Sequence, residues 1–394
     1  METGLDRLFA DNPLSARIRG KKIGLLVHPA SVDKRGAHIS SIVRGLGANV
    51  VINFGPEHGF GGEAQDMIGV ADARDRFGAP IRSLYGDAFS DLSPRAEDLR
   101  GIDLLVIDLQ DVGSRYYTFV WTAVLALRAA HAAGVPTLLL DRPNPIGSAL
   151  VEGPLLLDAF KSFVGLENVP IRHACTVGEI VSWCAANEGI SKDALSVVTV
   201  RNAASDARSW DRPFVHPSPN MPTYETALVY PGGCLLEGTN LSEGRGTTKP
   251  FEMFGAPWLD GVKLAEEFAA IDLPGVLVRP TTFHPMFHKH AGTICGGVVV
   301  HVRNADTFRP IEVYLNLIAL AAKHAPDHFR FRTERYEFVD TIPAFDLLMG
   351  SDRVRLAMLD GKATPAFLQN EVAERKDALQ RTQEVRSSLS AFAI

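Results

Sequence analysis

The sequence predicts an α/β protein with a Rossmann-like, doubly wound parallel sheet and a second, smaller α/β domain. Short runs in the first half are apolar through their centre and do not alternate, which is typical of strands covered on both faces. Helical patterns separate these runs, as expected for a doubly wound sheet. Because 212–233 is dense in proline and glycine, we place a boundary near residue 225. The predicted domains are 1–225 and 226–394, with a cleft between them.

The first domain is predicted to alternate strands with helices. A helix over 117–134 is closed by Gly134 and Pro136. A helix over 176–189 begins with Thr176 and Glu179 at the spacing of a capping box. The predicted strands are 21–32, 48–57, 102–111, 135–145 and 195–201.

The second domain is predicted to contain two strands, 275–285 and 295–304, and a helix over 310–326. A long helix over 364–392 is expected at its end. Two domains also fit the length, because 394 residues exceed what one hydrophobic core usually holds.

Composition and charge exclude several classes of protein. The net charge is 40 − 46 = −6, which favours neither nucleic acid nor an anionic membrane as a partner. Neither a membrane span of about 18 apolar residues nor the apolar centre of a secretory signal is evident, so a cytoplasmic location is expected. The four cysteines are widely spaced and are predicted to be buried free thiols.

Polar side chains follow the predicted strands at the edge where an open parallel sheet binds its ligands. Glu57 and His58 follow the second strand, on a backbone constrained by Pro56 and by glycines on both sides. A constrained backbone suits a catalytic carboxylate. The further candidates after the third and fourth strands are Gln110, Asp111, Arg115, Tyr116, Tyr117, Arg142 and Asn144. Tyr116 and Tyr117 are not expected to share one pocket if they begin a helix.

The motifs of nucleotide cofactors are missing. Neither G-x-G-x-x-G after the first strand nor G-x-x-x-x-G-K-[ST] occurs, so no cofactor is expected despite the Rossmann-like pattern. No G-x-S-x-G elbow is present for a serine hydrolase. A polar loop over 237–255 is expected to be functional, because long polar loops in compact domains usually are. Its candidate residues are Asn240, Glu243, Arg245 and Lys249.

Several long motifs resemble those of the exo-β-N-acetylmuramidase family, formerly a domain family of unknown function. They fall in order from about residue 22 to the end of the chain. The motifs are FGPEHGFGGEAQD, IDLLVIDLQDVGSRYYTFVWT, LLDRPNPIG with VEGPLL, PSPNMPT (which includes Asn220), and YPGGCLLEGTNLSEGRGTTKPFEMFGAPW.

The resemblance implies a glycoside hydrolase that removes N-acetylmuramic acid from the non-reducing ends of peptidoglycan fragments. It implies an active site in the cleft between the two domains, and it makes Glu57 of the G-P-E-H-G motif the leading catalytic residue, with His58 beside it. Without a secretion signal, the recycling of imported fragments inside the cell is the expected role. The partners would be small saccharides, and neither metal nor cofactor is implied.

Roles for the other residues follow from glycoside chemistry, with Glu57 as general acid. The 2-acetamido group of the sugar is expected to meet Asp111 or Tyr116, which would orient its attack on the anomeric carbon. Alternatively, a carboxylate activates water. The lactyl carboxylate of the sugar is expected to bind an arginine, whose guanidinium can donate two parallel hydrogen bonds to it. The candidates are Arg115, Arg142 and Arg245.

Two other classes of protein stay open at this stage. One is a metal-dependent hydrolase that uses Glu57, His58, Asp108 and Asp141, although no H-x-H or H-E-x-x-H spacing supports it. The other is a non-catalytic protein that binds muropeptides or sugars between two α/β lobes. A glycosidase for a different sugar, such as N-acetylglucosamine, is a third reading within the same chemistry.

Overall fold

The computed structural model describes residues 1–65, 73–373 and 375–394. Within them, no helix is long and apolar enough to cross a lipid bilayer. The strands, in chain order, are β1 (Lys22–Val27), β2 (Asn49–Gly55), β3 (Ala73–Arg74), β4 (Pro80–Ser83), β5 (Leu104–Asp108), β6 (Thr137–Leu140), β7 (Leu195–Val198), β8 (Met253–Ala256), β9 (Val276–Phe283) and β10 (Cys295–Val302).

The helices surround two sheets. In chain order they are α1 (Gly4–Ala10), α2 (Asn12–Ala16), α3 (Ile39–Gly45), α4 (Ala96–Leu99), α5 (Phe119–Ala132), α6 (Val177–Asn187), α7 (Tyr224–Gly233), α8 (Gly261–Ala269), α9 (Pro310–His324), α10 (Ala344–Met349), α11 (Arg353–Leu359), α12 (Pro365–Val372) and α13 (Lys376–Ser388).

The first sheet has seven strands in the order β3-β4-β2-β1-β5-β6-β7 and is parallel except for β3. The five predicted strands are confirmed as β1, β2, β5, β6 and β7, whereas β3 and β4 were not predicted. Strands β5 and β6 are buried along their whole length, as their unbroken apolar runs indicate. The chain order reverses at β1, which places a ligand crevice at the carboxyl ends of β1 and its neighbours.

The second sheet is antiparallel, with the order β8-β10-β9. Strands β9 and β10 and helix α9 confirm the predictions for 275–285, 295–304 and 310–326. Strand β8 was not predicted. The α/β class with a smaller second domain is therefore confirmed.

The prediction of one long terminal helix over 364–392 was wrong. The backbone is extended at Ala373, with ψ at 153°, which separates α12 from α13. The break redirects the chain, so that α13 buries Ala378 and Val385 and packs against α6 of the first domain. The chain then reaches the first sheet, where the Ile394 N–H donates to the Val197 carbonyl at 2.9 Å.

One continuous hydrophobic core joins the two domains. It contains Phe54 and Trp121 from the first domain together with Phe254 and Tyr314 from the second, and each of these four is at most 1% exposed. A second core, which includes Leu25, covers the opposite face of the parallel sheet. The four cysteines are free and buried, as predicted. The crevice at the strand ends therefore opens onto a packed seam between the domains.

Candidate active site

The G-P-E-H-G segment forms a tight turn directly after β2. The Gly59 N–H donates to the Pro56 carbonyl at 2.9 Å, and His58 has a φ of +70°. The chain doubles back so closely that a Cβ on Gly55 would lie 2.3 Å from the Phe60 nitrogen. Only glycine fits at that position without a shift of the backbone. The turn thus holds Glu57 in one place at the carboxyl end of the strand.

Glu57 is buried, with 6% of its surface exposed, and its carboxylate is positioned by the start of helix α5. The Thr118 hydroxyl donates to Glu57 Oε2 at 2.8 Å. Thr118 is the N-cap residue of α5, but its side chain makes no capping bond to the helix backbone. The Thr118 hydroxyl therefore binds the Glu57 carboxylate and does not cap the helix.

A cavity lies in front of Glu57, and residues of both domains line it. His58 is one of them; its Nδ1 lies 2.9 Å from the Ala64 carbonyl oxygen, and its ring packs near Phe119. The lining residues are Glu57, His58, Tyr116, Tyr117, Thr118, Phe119, Val164, Ser218, Asn220, Met221, Tyr230, Glu237, Arg245, Phe251, Tyr336 and Glu337.

Tyr116 and Tyr117 both line the cavity. They lie in the turn before α5 and not on the helix, so the restriction expected for a helix start does not apply. Burial raises the pKa of each phenol well above its ordinary value. The Tyr116 hydroxyl donates to the carbonyl of Pro231 near the end of α7, where helix carbonyls lack partners within the helix. That bond fixes the hydroxyl on the protein, so an orienting role for Tyr116 toward the acetamido group has no support in the geometry.

Two carboxylates from the second domain, Glu237 and Glu337, enter the same cavity. Glu237 is one of the polar residues of the loop that was expected to be functional, whereas Glu337 was not expected in the site. Glu237 accepts a hydrogen bond from the Tyr336 hydroxyl at 2.6 Å and pairs with Arg245 at 3.0 Å. Glu337 accepts from the Tyr85 hydroxyl at 3.1 Å. Glu237 lies in the predicted functional loop, which was the available signal, whereas no local pattern marks Tyr336 and Glu337.

Asp111 and Gln110 lie outside the lining of the cavity. Asp111 accepts from the Gly113 N–H at 2.5 Å and lies 3.6 Å from His173 Nε2, so it fixes the turn after β5. The Gln110 amide donates to the carbonyls of Asp111 and Pro143. One oxygen of the Asp111 carboxylate thus binds backbone, and the expectation that Asp111 orients the acetamido group stays a prediction.

Two of the three candidate arginines are engaged by other groups of the protein. The Arg115 guanidinium is fully buried and donates to the carbonyls of Pro154, Val169 and Leu348 at 2.9 Å each. Burial lowers its pKa to about 10. Arg142 forms a two-pronged ion pair with Asp108 beneath the strand ends. Neither lines the cavity, whereas Arg245 does.

Of the three candidate asparagines, one lines the cavity and two bind other parts of the protein. Asn220 lines the cavity and donates to Gln65 Oε1 at 2.7 Å. Asn144 instead fixes a turn through the Ile146 N–H, and Asn240 binds the His328 carbonyl and the Arg330 N–H. Both lie outside the lining.

Glu243 and Lys249 also lie outside the lining of the cavity. Glu243 contacts Arg245, His288 and Lys289 beneath it. The Lys249 amine pairs with Glu252 at 2.7 Å, with about half of its side chain in solvent.

The four donors of the metal-dependent alternative do not converge. Asp108 pairs with Arg142, and Asp141 accepts from the Thr176 hydroxyl and the Gly178 N–H, both at 2.8 Å, at the start of α6. Glu57 and His58 belong to the cavity. Among the described residues, no three side chains of His, Cys, Asp or Glu gather as a metal site would require.

A larger cavity, with a volume of about 550 Å³ against about 40 Å³, lies in the second domain between α9 and the α11–α12 segment. Its lining is mainly apolar, and Lys323 is the single charged side chain among the described residues that line it. Glycoside chemistry needs carboxylates, and these are found in the smaller cavity.

Fold and site together define a two-domain α/β protein with an acidic cavity at the seam between its domains. Two solved structures share this architecture; both are DUF1343 family proteins from Bacteroides fragilis. One is 27% identical with a TM-score of 0.83, covering 99% of this chain and 98% of that one. The other is 27% identical with a TM-score of 0.72, covering 98% of each chain.

The family follows from comparison of the sequence. Residues 23–225 match the N-terminal domain and residues 228–385 the C-terminal domain of exo-beta-N-acetylmuramidase NamZ. Peptidoglycan beta-N-acetylmuramidase NamZ of Bacillus subtilis (strain 168) is 38% identical over 98% of this chain and 90% of its own length. The chain belongs to the exo-β-N-acetylmuramidase NamZ family, a family of glycosidases, as the motifs of the sequence indicate.

Proposed function

We propose that this protein is a glycoside hydrolase that releases N-acetylmuramic acid from the non-reducing end of peptidoglycan fragments. The observation that supports it most is the position of Glu57. Its carboxyl lies at the end of a parallel strand, on a rigid turn, and faces a cavity with walls from both domains. The family of the chain and the name of its Bacillus subtilis relative, a peptidoglycan beta-N-acetylmuramidase, support the same substrate.

In this proposal Glu57 is the general acid. It would donate its proton to the glycosidic oxygen as the bond to the anomeric carbon breaks and an oxocarbenium-like charge develops on the sugar. Thr118 holds one carboxyl oxygen through a 2.8 Å hydrogen bond, so the acid keeps its direction. A fixed acid loses little entropy when the substrate arrives.

The sugar would lie against an aromatic wall. The Tyr230 ring packs edge to face with two other rings, with centroid distances of 5.7 Å to Tyr117 and 4.9 Å to Phe251. The three rings offer apolar surface to the faces of a pyranose ring. Arg245, whose guanidinium lies 5.1 Å from the Phe251 ring centre, is the candidate arginine that reaches the cavity. We assign the lactyl carboxylate to its neighbourhood.

The experiment compares two disaccharides that differ in the lactyl ether at the non-reducing sugar. The wild-type protein is expected to release N-acetylmuramic acid from N-acetylmuramyl-β-1,4-N-acetylglucosamine. Release of N-acetylglucosamine from its β-1,4 dimer should be at least about tenfold slower, because a charge-assisted contact is lost. Equal rates would contradict recognition of the lactyl group. Binding of either sugar without release would instead support the non-catalytic alternative.

We also propose that the protein acts in the cytoplasm on imported fragments. Its four cysteines form no disulfide, which suits a reducing compartment.

A further inference from the structure

The second domain contributes Glu237 to the lining of the cavity that also contains Glu57 of the G-P-E-H-G turn. Glu237 lies in the short 3-10 helix Cys234–Gly238 that follows α7. The next residue, Gly238, is pressed against α10, since a Cβ there would lie 2.6 Å from the backbone of Phe345. The backbone beside Glu237 is therefore fixed by close packing, as it is beside Glu57.

Both oxygens of Glu237 are engaged by strong donors. Oε1 lies 3.0 Å from Arg245 Nη2, and Oε2 accepts from the Tyr336 hydroxyl at 2.6 Å. The side chain is 8% exposed. An adjacent guanidinium and a phenol that donates both favour the negative form of a carboxylate. Glu237 is therefore held in place by two donors in a largely buried site.

Arg245 is itself positioned by a buried network beneath the cavity. Its Nη1 pairs with Glu243 Oε1 at 3.2 Å, and Glu243 also lies 2.8 Å from His288 Nδ1 and 2.9 Å from Lys289 Nζ. Burial alone would raise the pKa of Glu243, but these cations hold that pKa well below its usual range. Glu243 is thus a positioning residue that acts through Arg245.

We propose that Glu237 is the second catalytic carboxylate of this cavity, an inference that rests on the proposed glycosidase function. Glu57 gives its proton to the glycosidic oxygen, which leaves with the electron pair of the broken bond. The carboxylate of Glu237 balances the positive charge on the sugar from the opposite face. Water then adds its oxygen to the anomeric carbon and returns a proton to Glu57, so the configuration is retained.

Two substrates with different leaving groups separate the roles of the two carboxylates. They are the 4-nitrophenyl β-glycoside of N-acetylmuramic acid and the disaccharide with N-acetylglucosamine. The first needs little help from an acid, since nitrophenolate leaves without a proton. Glu237→Gln is expected to lower kcat/KM about 10²–10³-fold on both substrates. Glu57→Gln should lower it at least about a hundredfold on the disaccharide and much less on the nitrophenyl glycoside.

Glu371→Gln is the matched control. Glu371 is also a buried carboxylate of the second domain, 7% exposed against 8% for Glu237, and it pairs with Arg353 at 2.8 Å, outside the lining of the cavity. Its variant should keep wild-type activity. Tyr336→Phe keeps the Glu237 carboxylate, removes one donor and should lower kcat about tenfold on both substrates. This second variant tests the proposal even if Glu237→Gln does not fold.

Folding is checked by thermal unfolding and by binding of free N-acetylmuramic acid. A folded, sugar-binding Glu237→Gln variant with activity within tenfold of the wild type would overturn the inference and leave the proposed function standing. A loss confined to the disaccharide would also overturn it, because Glu237 would then be the acid. If the wild type cleaves neither substrate, the proposed function fails and this inference fails with it.

Discussion

Buried carboxyl groups in this protein differ in their pKa, because their surroundings differ. Burial raises the pKa of Asp141 and of Glu152 to about 7, and both accept hydrogen bonds from backbone N–H groups. Glu243 is just as buried, but Lys289, a hydrogen bond from His288 and Arg245 hold its pKa well below the usual range. The environment of each carboxylate thus decides its charge, which is how one protein can supply both an acid and a stabilising anion.

His28 gives a prediction for stability at this scale. It is fully buried at the end of β1, with Nδ1 3.2 Å from the Pro217 carbonyl oxygen and Nε2 accepting from the Gln110 N–H. Burial lowers its pKa to about 3. Below pH of about 6.5 the unfolded chain takes up a proton at His28 that the folded protein does not bind. The contribution of His28 to stability is therefore lost progressively as the pH falls from about 6.5 toward 3.

The measurement is urea unfolding of the wild type and His28→Gln at pH 6.5 and pH 5. The stability advantage of the wild type over the variant is expected to shrink by about 1.7 kcal/mol between the two pH values, because the slope rises from about half of 1.4 kcal/mol per pH unit at pH 6.5 to nearly the full value at pH 5. Asp141 and Glu152 have opposite slopes in this range, but both are present in the two proteins and cancel in the difference. An advantage of the same size at both pH values would contradict the prediction.

At the scale of elements, the turn after β2 positions Glu57. Its direction depends on Gly55, where the returning backbone leaves no room for a Cβ, and on the left-handed conformations of His58 and Gly59. The carboxylate is fixed by a second element, the start of α5, through Thr118. Two elements that are distant in sequence thus meet at one carboxyl group.

Gly55→Ala tests this turn. The added Cβ would meet the Phe60 nitrogen at 2.3 Å, so we expect a loss of about 1–3 kcal/mol in unfolding free energy and a fall in kcat as Glu57 shifts. Gly45→Ala is the control, because the space around Gly45 at the end of α3 is open. It should leave stability unchanged or raise it by up to about 1 kcal/mol. Wild-type stability and kcat in Gly55→Ala would show that the turn does not depend on this glycine.

Elements and strand ends could be read from local patterns, because unbroken apolar runs and caps are local signals. The five parallel strands, the helices at 117–134, 176–189 and 310–326, and the constrained turn that carries Glu57 were all accessible in this way. The break at Ala373 was not, since the pattern is helical on both sides and long-range packing of α13 decides it.

The hydrogen-bond partners of the side chains could not be predicted from local sequence patterns either. Arg115 binds carbonyls as far away as Leu348, and Glu237 meets Tyr336, which lies 99 residues further along the chain. Such contacts depend on how the two domains pack, which no motif spacing gives.

At the scale of the whole molecule, the cavity exists because two domains share one core. Hydrogen bonds that cross the seam include those of Tyr116 with Pro231, Arg115 with Leu348, and Tyr85 with Glu337. The first domain contributes Glu57 and the second contributes Glu237 and Arg245. Neither domain alone would bring these groups together, so the proposed chemistry belongs to the assembled chain.

The most direct test of the account is the rate of release of N-acetylmuramic acid from the disaccharide by Glu57→Gln. Glu152→Gln is the control, since Glu152 is a buried carboxylate of the same domain outside the cavity lining. We expect Glu57→Gln to fold, to bind the sugar and to lose at least about a hundredfold in kcat, while the control keeps its rate. A folded Glu57→Gln protein with kcat within tenfold of the wild type would contradict the assignment of the acid.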